Sequence, residues 1–286
     1  MPELPEAETV RRQLEPQLVG AHIESAWARL PRRCVPDPET FARELSGARI
    51  VAAKRRGKQI YFPLDSGLNL LVHLGMTGRL GVESAPTYAI EDAPRHVQAI
   101  VTLTDGRRLV FSDPRTFGVV GVTRELPFLS AMGPEPLDAD FDEAALVQKL
   151  SKRATKIKAL ILDQGVVAGL GNIYADEVCY LARVHPETPA NQVPVDKMRV
   201  LVAQMRPTLE RAIAQRGATL KDGGYADTFG DYGEFRPQMY GRKGEPCEEC
   251  ETPIQRGVLG PGKTARSYHF CPQCQPMPNN QPVPTK

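Results

Sequence analysis

The sequence predicts an α+β protein of two domains, with a β-rich N-terminal half and a helical C-terminal half. Three observations carry this. Residues 21–124 hold short apolar or alternating segments separated by turn signals. After the Pro- and Gly-rich stretch 127–137, the apolar period lengthens to helical spacing. At 286 residues the chain is long enough for two domains of roughly 100–200 residues each.

Each element has its own reason. Residues 5–19 read as a helix. Pro5 suits a first helical position, Glu6 and Glu8 complement the helix dipole, and Val10, Leu14 and Leu18 recur every turn before Gly20. Strands are expected at Ile50–Ala53, Gln59–Leu64, Leu68–Leu74, His96–Leu103 and Arg107–Phe111. Asp65-Ser66-Gly67 and Asp105-Gly106 are hairpin turns between them. Many short strands with close turns suggest a sandwich or barrel. Beyond the linker, Ala144, Val147 and Leu150 mark one helix, Ile157–Leu162 a second and Ile173–Leu181 a third. Met198, Val202, Met205, Leu209 and Ile213 trace the apolar stripe of one long fourth helix. Residues 217–244 are rich in glycine and read as a mobile loop, and the proline-bearing tail 276–286 as disordered.

Composition excludes several classes. With 41% hydrophobic and 24% charged residues, the chain is not wholly disordered. A formal charge of +2 excludes a histone-like basic tail but leaves room for local basic patches. No apolar run approaches the ~18 residues of a membrane span. The acidic start Met1-Pro2-Glu3-Leu4-Pro5-Glu6 is no secretory signal, so a cytosolic location is expected, where disulfides are rare.

The cysteines carry the strongest local signal. Cys247-x2-Cys250 and Cys271-x2-Cys274 have the spacing of a tetrahedral Zn²⁺ site, weighed against a pair of disulfides. So short a segment has little core, and the metal would fold it. Cys34 and Cys179 stand alone and read as small buried residues.

Charge and termini suggest chemistry. Residues 49–58, 150–158 and the cysteine segment each hold a basic cluster, and the three together would suit a phosphate backbone. Asn172, after Gly169-Leu170-Gly171, opens a helix whose first N–H groups can accept a phosphate. If Met1 is removed, Pro2 becomes a terminal secondary amine of low pKa, able to form an iminium with an aldehyde-like carbon. Glu3 and Glu6 are near enough in sequence to move protons or stabilise charge there. The alternative is a frayed acidic terminus.

These pieces join in one resemblance. Met1-Pro2-Glu3-Leu4-Pro5-Glu6, Arg55-Arg56-Gly57-Lys58, His73-Leu74-Gly75-Met76-Thr77-Gly78 and Asp113-Pro114-Arg115-Thr116-Phe117-Gly118 lie collinear in the first half. Gly169–Glu177, Tyr240-Gly241-Arg242-Lys243-Gly244 and Phe270-Cys271-Pro272-Gln273-Cys274-Gln275 follow. Together they resemble the formamidopyrimidine-DNA glycosylases. The resemblance implies an N-terminal antiparallel β-sandwich with an N-terminal helix, a helical helix–two-turn–helix domain and a β-hairpin zinc finger. The implied domains are residues 1–126, a linker at 127–137, 138–238 with a damaged-base loop, 239–275 and the tail.

The implied function is base excision from duplex DNA carrying oxidised purines or abasic sites, by a monomer with one structural Zn²⁺. Pro2 would attack the sugar, Glu3 would move protons with support from Glu6, and Lys58 would assist the leaving phosphates. His96, Arg115, Lys158, Asn172 and Arg266 would contact DNA. Met76, Arg115 and Phe117 would fill the space of an extruded base. Cys247, Cys250, Cys271 and Cys274 would hold the metal. The stretch between the cysteine pairs is longer than usual for the family, and residues 217–235 match it poorly, though Tyr225, Phe229, Tyr232 and Phe235 are candidates for base stacking. Two other readings are an endonuclease VIII-like enzyme for oxidised pyrimidines, which Leu4 argues against, and a non-catalytic zinc-ribbon damage binder, which Pro2 with Glu3 argues against.

Overall fold

The computed structural model describes residues 2–219, 225–262 and 265–277. The chain forms two compact units, Met1–Ala131 with Ala212–Phe235, and Met132–Arg211 with Arg236–Lys286. The expected linker spans the first crossing. The chain crosses twice more, because residues 212–235 pack with the β-rich unit, where Tyr225 joins the core.

The first unit begins with α1 (Leu4–Leu18), whose Leu4, Ala7, Val10, Leu14 and Leu18 form one buried face. β1 (Ile23–Ala28), β2 (Cys34–Val35) and α2 (Pro38–Leu45) follow. Sequence reading missed α2 inside the β-rich stretch, although its signals are plain. Asp37 accepts from the Thr40 N–H at 2.8 Å, Pro38 opens the helix, and Phe41 and Leu45 are fully buried one turn apart. Then come β3 (Lys54–Arg56), β4 (Gln59–Pro63), β5 (Asn69–His73), β6 (Arg79–Glu83), β7 (Val97–Leu103), β8 (Arg108–Ser112) and β9 (Val119–Thr123). The expected strand at Ile50–Ala53 is displaced to β3. The Ile50 backbone bonds to Gly20 and Ala21, and pairs with the end of β4 only through an isolated bridge to Leu64.

These strands make a four-stranded sheet, β1-β7-β8-β6, and a five-stranded sheet, β2-β9-β5-β4-β3. Every pair is antiparallel except the two-residue parallel pair of β2 and β9. Ile60, Phe62, Leu70, Val72 and Val122 of one sheet share a single core with Val101, Leu103, Leu109 and Phe111 of the other. The two hairpin turns fall where expected, with Gly67 at φ +77 and Gly106 at φ +86.

In the chain, α3 (Pro127–Ala131) is followed by the second unit's α4 (Glu143–Ser151), α5 (Ile157–Leu162), α6 (Asn172–Leu181) and α7 (Val195–Ala203), and then by α8 (Met205–Ala214). The expected long fourth helix is therefore two. Pro207 lacks the N–H that would bond to Ala203, and its ring crowds that carbonyl, so the helix stops at Ala203 and restarts. The predicted stripe survives the break, with Met198, Val202, Met205 and Leu209 all fully buried. β10 (Gln255–Leu259) and β11 (Arg266–Phe270) form an antiparallel hairpin. Segment 225–244 is not the structureless loop expected. Tyr225, Phe235 and Met239 are buried, and Asp227 accepts from the Phe229 and Asp231 N–H groups at 3.0 Å. Residues 220–224 and 278–286 of the expected loop and tail lie outside the described residues. Among those described, no helix is long and apolar enough to cross a membrane.

Candidate functional site

In the first unit the candidate chemistry gathers at the start of α1. Pro2 is buried, Glu3 is 1% exposed and Glu6 is 0% exposed. The Glu3 N–H donates to Glu6 Oε2 at 2.7 Å, and the Ala218 N–H donates to Glu6 Oε1 at 2.7 Å. Both Glu6 oxygens are thus engaged, and Glu6 ties the Glu3 backbone to the segment that follows α8. Gly217 fits there because it has no side chain, since a Cβ would sit 2.7 Å from Glu6 Oε1.

One turn further on, Glu8 receives Arg11, Arg12 and Arg55. Burial alone would raise its carboxyl. The Arg11 hydrogen bonds and the charge of Arg55, joined by Arg12, outweigh that and bring it down to about 2. Arg55, expected among the DNA-facing bases, is instead part of this internal cluster. Lys58 occupies the tight turn between β3 and β4. His73 is nearby, and burial first, then the Lys58 charge, lowers its pKa.

The expected wedge residues come from two loops that Asp113 holds. Its buried carboxylate accepts from Thr77 Oγ1 at 2.6 Å, from the Arg115 N–H at 3.2 Å and from the Gly118 N–H at 2.7 Å. Its own N–H donates to the His96 carbonyl at 2.7 Å. The Gly75 and Gly118 backbones are so close that a Cβ on Gly75 would lie 2.5 Å from Gly118 N. Met76, His96, Arg115 and Phe117 therefore surround one buried strut. Met76 is half-buried, His96 and Arg115 are exposed, and Phe117 is 45% exposed, with the Arg115 guanidinium 5.1 Å above its ring. Of the aromatics considered for stacking, Tyr225 and Phe235 are core residues, while Phe229 and Tyr232 are exposed.

In the second unit Lys158 corrects an expectation. It is fully buried, with Nζ 2.6 Å from Asp176 Oδ1 and 2.8 Å from the Ser267 carbonyl, so it presents no ammonium to a phosphate. Asp176 also accepts from the His269 N–H at 2.9 Å. The neighbouring Glu177 accepts from the N–H groups of Gln238, Met239 and Tyr240 at 2.7, 3.0 and 3.1 Å. Burial pushes Glu177 up to about 7 against those donors. These two carboxylates of α6 bind β11 and the segment leading into the hairpin. Both stand in the Gly169–Glu177 motif, but nothing in the sequence names their partners. Asn172 is the first residue of α6, with Gly171 as its cap, and it is partly exposed. Arg266 opens β11 and is exposed.

The four C-terminal cysteines converge. Their Sγ atoms all lie within 4.8 Å of one another, with 3.4 Å from Cys250 to Cys271, 3.5 Å from Cys250 to Cys274 and 3.8 Å from Cys247 to Cys274. These distances exclude disulfide bonds, whose sulfurs are about 2.05 Å apart. Four thiols in this arrangement can hold a metal ion. Gln275 docks the knuckle, accepting from the Cys271 N–H at 2.9 Å and donating to the Val184 carbonyl at 2.9 Å. Cys34 and Cys179 are buried and do not belong to this cluster, and burial pushes the Cys34 thiol up to about 12.

A β-sandwich unit with carboxylates buried at its first helix, in one chain with a helical unit that bears a four-cysteine hairpin, is the architecture of the DNA glycosylase class anticipated above. Comparison with known proteins narrows the class. Residues 1–120 match the formamidopyrimidine-DNA glycosylase N-terminal domain, and residues 132–223 match the formamidopyrimidine-DNA glycosylase H2TH domain. The chain belongs to the formamidopyrimidine-DNA glycosylase family. It is 42% identical to a formamidopyrimidine-DNA glycosylase of Herpetosiphon aurantiacus, over 96% of this chain and 100% of that one. It is similar to the Lactococcus lactis Fpg solved with abasic-site DNA, at 36% identity and a TM-score of 0.85 over 96% of this chain and 100% of that one. The wild-type Lactococcus lactis Fpg solved with N7-benzyl-Fapy-dG DNA matches at 36% identity, a TM-score of 0.85 and the same coverage.

Proposed function

We propose that the protein is a bifunctional base-excision DNA repair enzyme, acting as a monomer, that removes oxidised purines from duplex DNA and then cleaves the strand at the abasic site. The observation that carries this reading is the buried Pro2-Glu3 start of α1, braced by Glu6, in a chain that matches the family along 96% of its length. Once Met1 is removed, the Pro2 nitrogen attacks the sugar C1′. The C1′–base bond breaks, and the base leaves with that electron pair and a proton. Ring opening gives an iminium between Pro2 and C1′. Loss of a C2′ proton then expels the 3′ phosphate, and a second elimination expels the 5′ phosphate. Glu3 supplies and accepts protons beside the amine. Glu6, with both oxygens engaged, positions Glu3 rather than moving protons itself.

Lys58, His96, Arg115, Asn172 and Arg266 hold the DNA backbone or the orphaned strand, and Met76 with Phe117 fills the stack when the lesion is extruded. Lys158 has no part in that contact set. The four cysteines hold one structural Zn²⁺. Their 3.4, 3.5 and 3.8 Å separations are close to the roughly 3.8 Å edge of a tetrahedron with Zn–S bonds of about 2.3 Å. That ion supplies folding stability to the hairpin. A DNA substrate suits the cytoplasm, at the nucleoid.

Borohydride trapping tests the reaction. Duplexes carrying 8-oxoguanine or an oxidised pyrimidine are incubated with the Met1-processed protein and reductant. A covalent adduct that accumulates faster on the oxidised purine is expected. No adduct on either substrate overturns the enzyme reading, and preference for the pyrimidine favours the endonuclease VIII-like alternative.

A further inference from the structure

At the N-terminus of α6 three polar side chains meet without bonding well to one another. Asn172 Nδ2 lies 3.4 Å from Tyr240 Oη and 3.5 Å from Ser267 Oγ, both at the outer limit of a hydrogen bond. Among the described residues, Asn172 Oδ1 has no hydrogen-bond partner. All three residues are partly exposed. Three donors that converge yet leave each other poorly satisfied are arranged for a shared anion at a positive helix end.

Ser267 is placed there with care. In an extended strand, alternate side chains share a face. Ser267 and His269 therefore face one side of β11, and Arg266, Tyr268 and Phe270 the other. His269 meets Asp176 of α6 through both its N–H, at 2.9 Å, and its ring, at 3.3 Å, so the Ser267 face is the one turned to α6. On the opposite face Tyr268 and Phe270 pack against His185, with ring centroids 5.7 and 4.3 Å away. The Ser267 carbonyl is itself held by buried Lys158 at 2.8 Å. A lysine paired with aspartate in the interior thus fixes the strand register that brings Ser267 Oγ to Asn172.

We infer that Ser267 is a phosphate-binding residue of this site, its hydroxyl donating to the same backbone phosphate as the Asn172 amide, with the Lys158–Asp176 pair as its positioning device. This rests on the DNA reading above and deepens it. Arg266, on the other face of the strand by register, contributes separately.

The test uses full-length, zinc-loaded protein and a duplex with a tetrahydrofuran abasic-site analogue. Ser267→Ala should weaken binding about tenfold, the scale of one hydrogen bond to a charged group. On a natural abasic-site duplex it should raise KM while leaving kcat at saturation unchanged. Zinc content and Tm should match the wild type. Ser267→Thr, which keeps the hydroxyl, should restore binding. Wild-type affinity in Ser267→Ala, or an equal loss in Ser267→Thr, overturns the assignment while the enzyme reading stands. Failure of the wild type to bind the duplex overturns that reading, and the assignment with it.

Discussion

At the scale of single residues, the sites that chemistry selects are held by buried charges that sequence alone could not pair. Glu8 reads in the sequence only as an acid near a helix start. In the structure it gathers Arg11, Arg12 and, from 47 positions away, Arg55. Its carboxyl is lowered from an ordinary 4.5 to about 2, so the cluster's contribution is complete above pH 4.5 and fades as pH falls toward 2. Glu8→Gln should therefore cost about 3 kcal/mol near neutrality and progressively less below pH 4.5, measured as the stability difference from wild type across a pH series. A difference that does not change with pH would contradict the ionic origin. Lys158 is the same lesson with the opposite result. Beside Lys152, Arg153 and Lys156 it looked like a surface base, yet only Lys158 is buried. Lys158→Met should cost about 3 kcal/mol or more in the unfolding of the helical unit, because Asp176 is left buried without its counter-ion. Denaturant titration checks it. Gly217 was legible as a glycine but not as a contact. Gly217→Ala, with φ +82 and a Cβ 2.7 Å from Glu6, should lose about 1–3 kcal/mol, read as a fall in Tm.

Among elements, legibility followed local signals. The helix predicted at Ile157–Leu162 stands with those bounds, and the two hairpin turns fall on their Asp and Gly residues. The β2–β9 parallel pair was not legible, since it joins two residues on each strand with no local signature. The division between α7 and α8 was written in Pro207, but a continuous apolar stripe concealed it. The hairpin β10–β11 depends on its surroundings most. Its buried polar links to α5 and α6, through Lys158 and Asp176, together with the four cysteines, replace the core that so short an element lacks. Cys250→Ser should therefore lose stoichiometric metal and at least tenfold in affinity for lesion duplex, while the first unit keeps its strand signal in circular dichroism. Metal analysis with a binding titration checks this, and unchanged affinity with the metal gone would contradict it.

For the whole molecule, the change of period near residue 130 marked one crossing between units, but segment 212–235 returns to the first unit through Tyr225 in its core and the Ala218 bond to Glu6. Such long-range packing has no periodicity to announce it. The +2 balance likewise averages two populations of charge, internal pairs such as Arg55–Glu8 and Lys158–Asp176, and exposed bases such as Arg115 and Arg266. Only the second population is available to a phosphate backbone. The amine of Pro2, at the buried head of α1, is the proposed nucleophile. Peptide mapping by mass spectrometry of the borohydride-trapped complex on an 8-oxoguanine duplex tests it most directly. The sugar remnant is predicted on the N-terminal peptide, at Pro2, with none on Lys58. An adduct located on any lysine instead would contradict it.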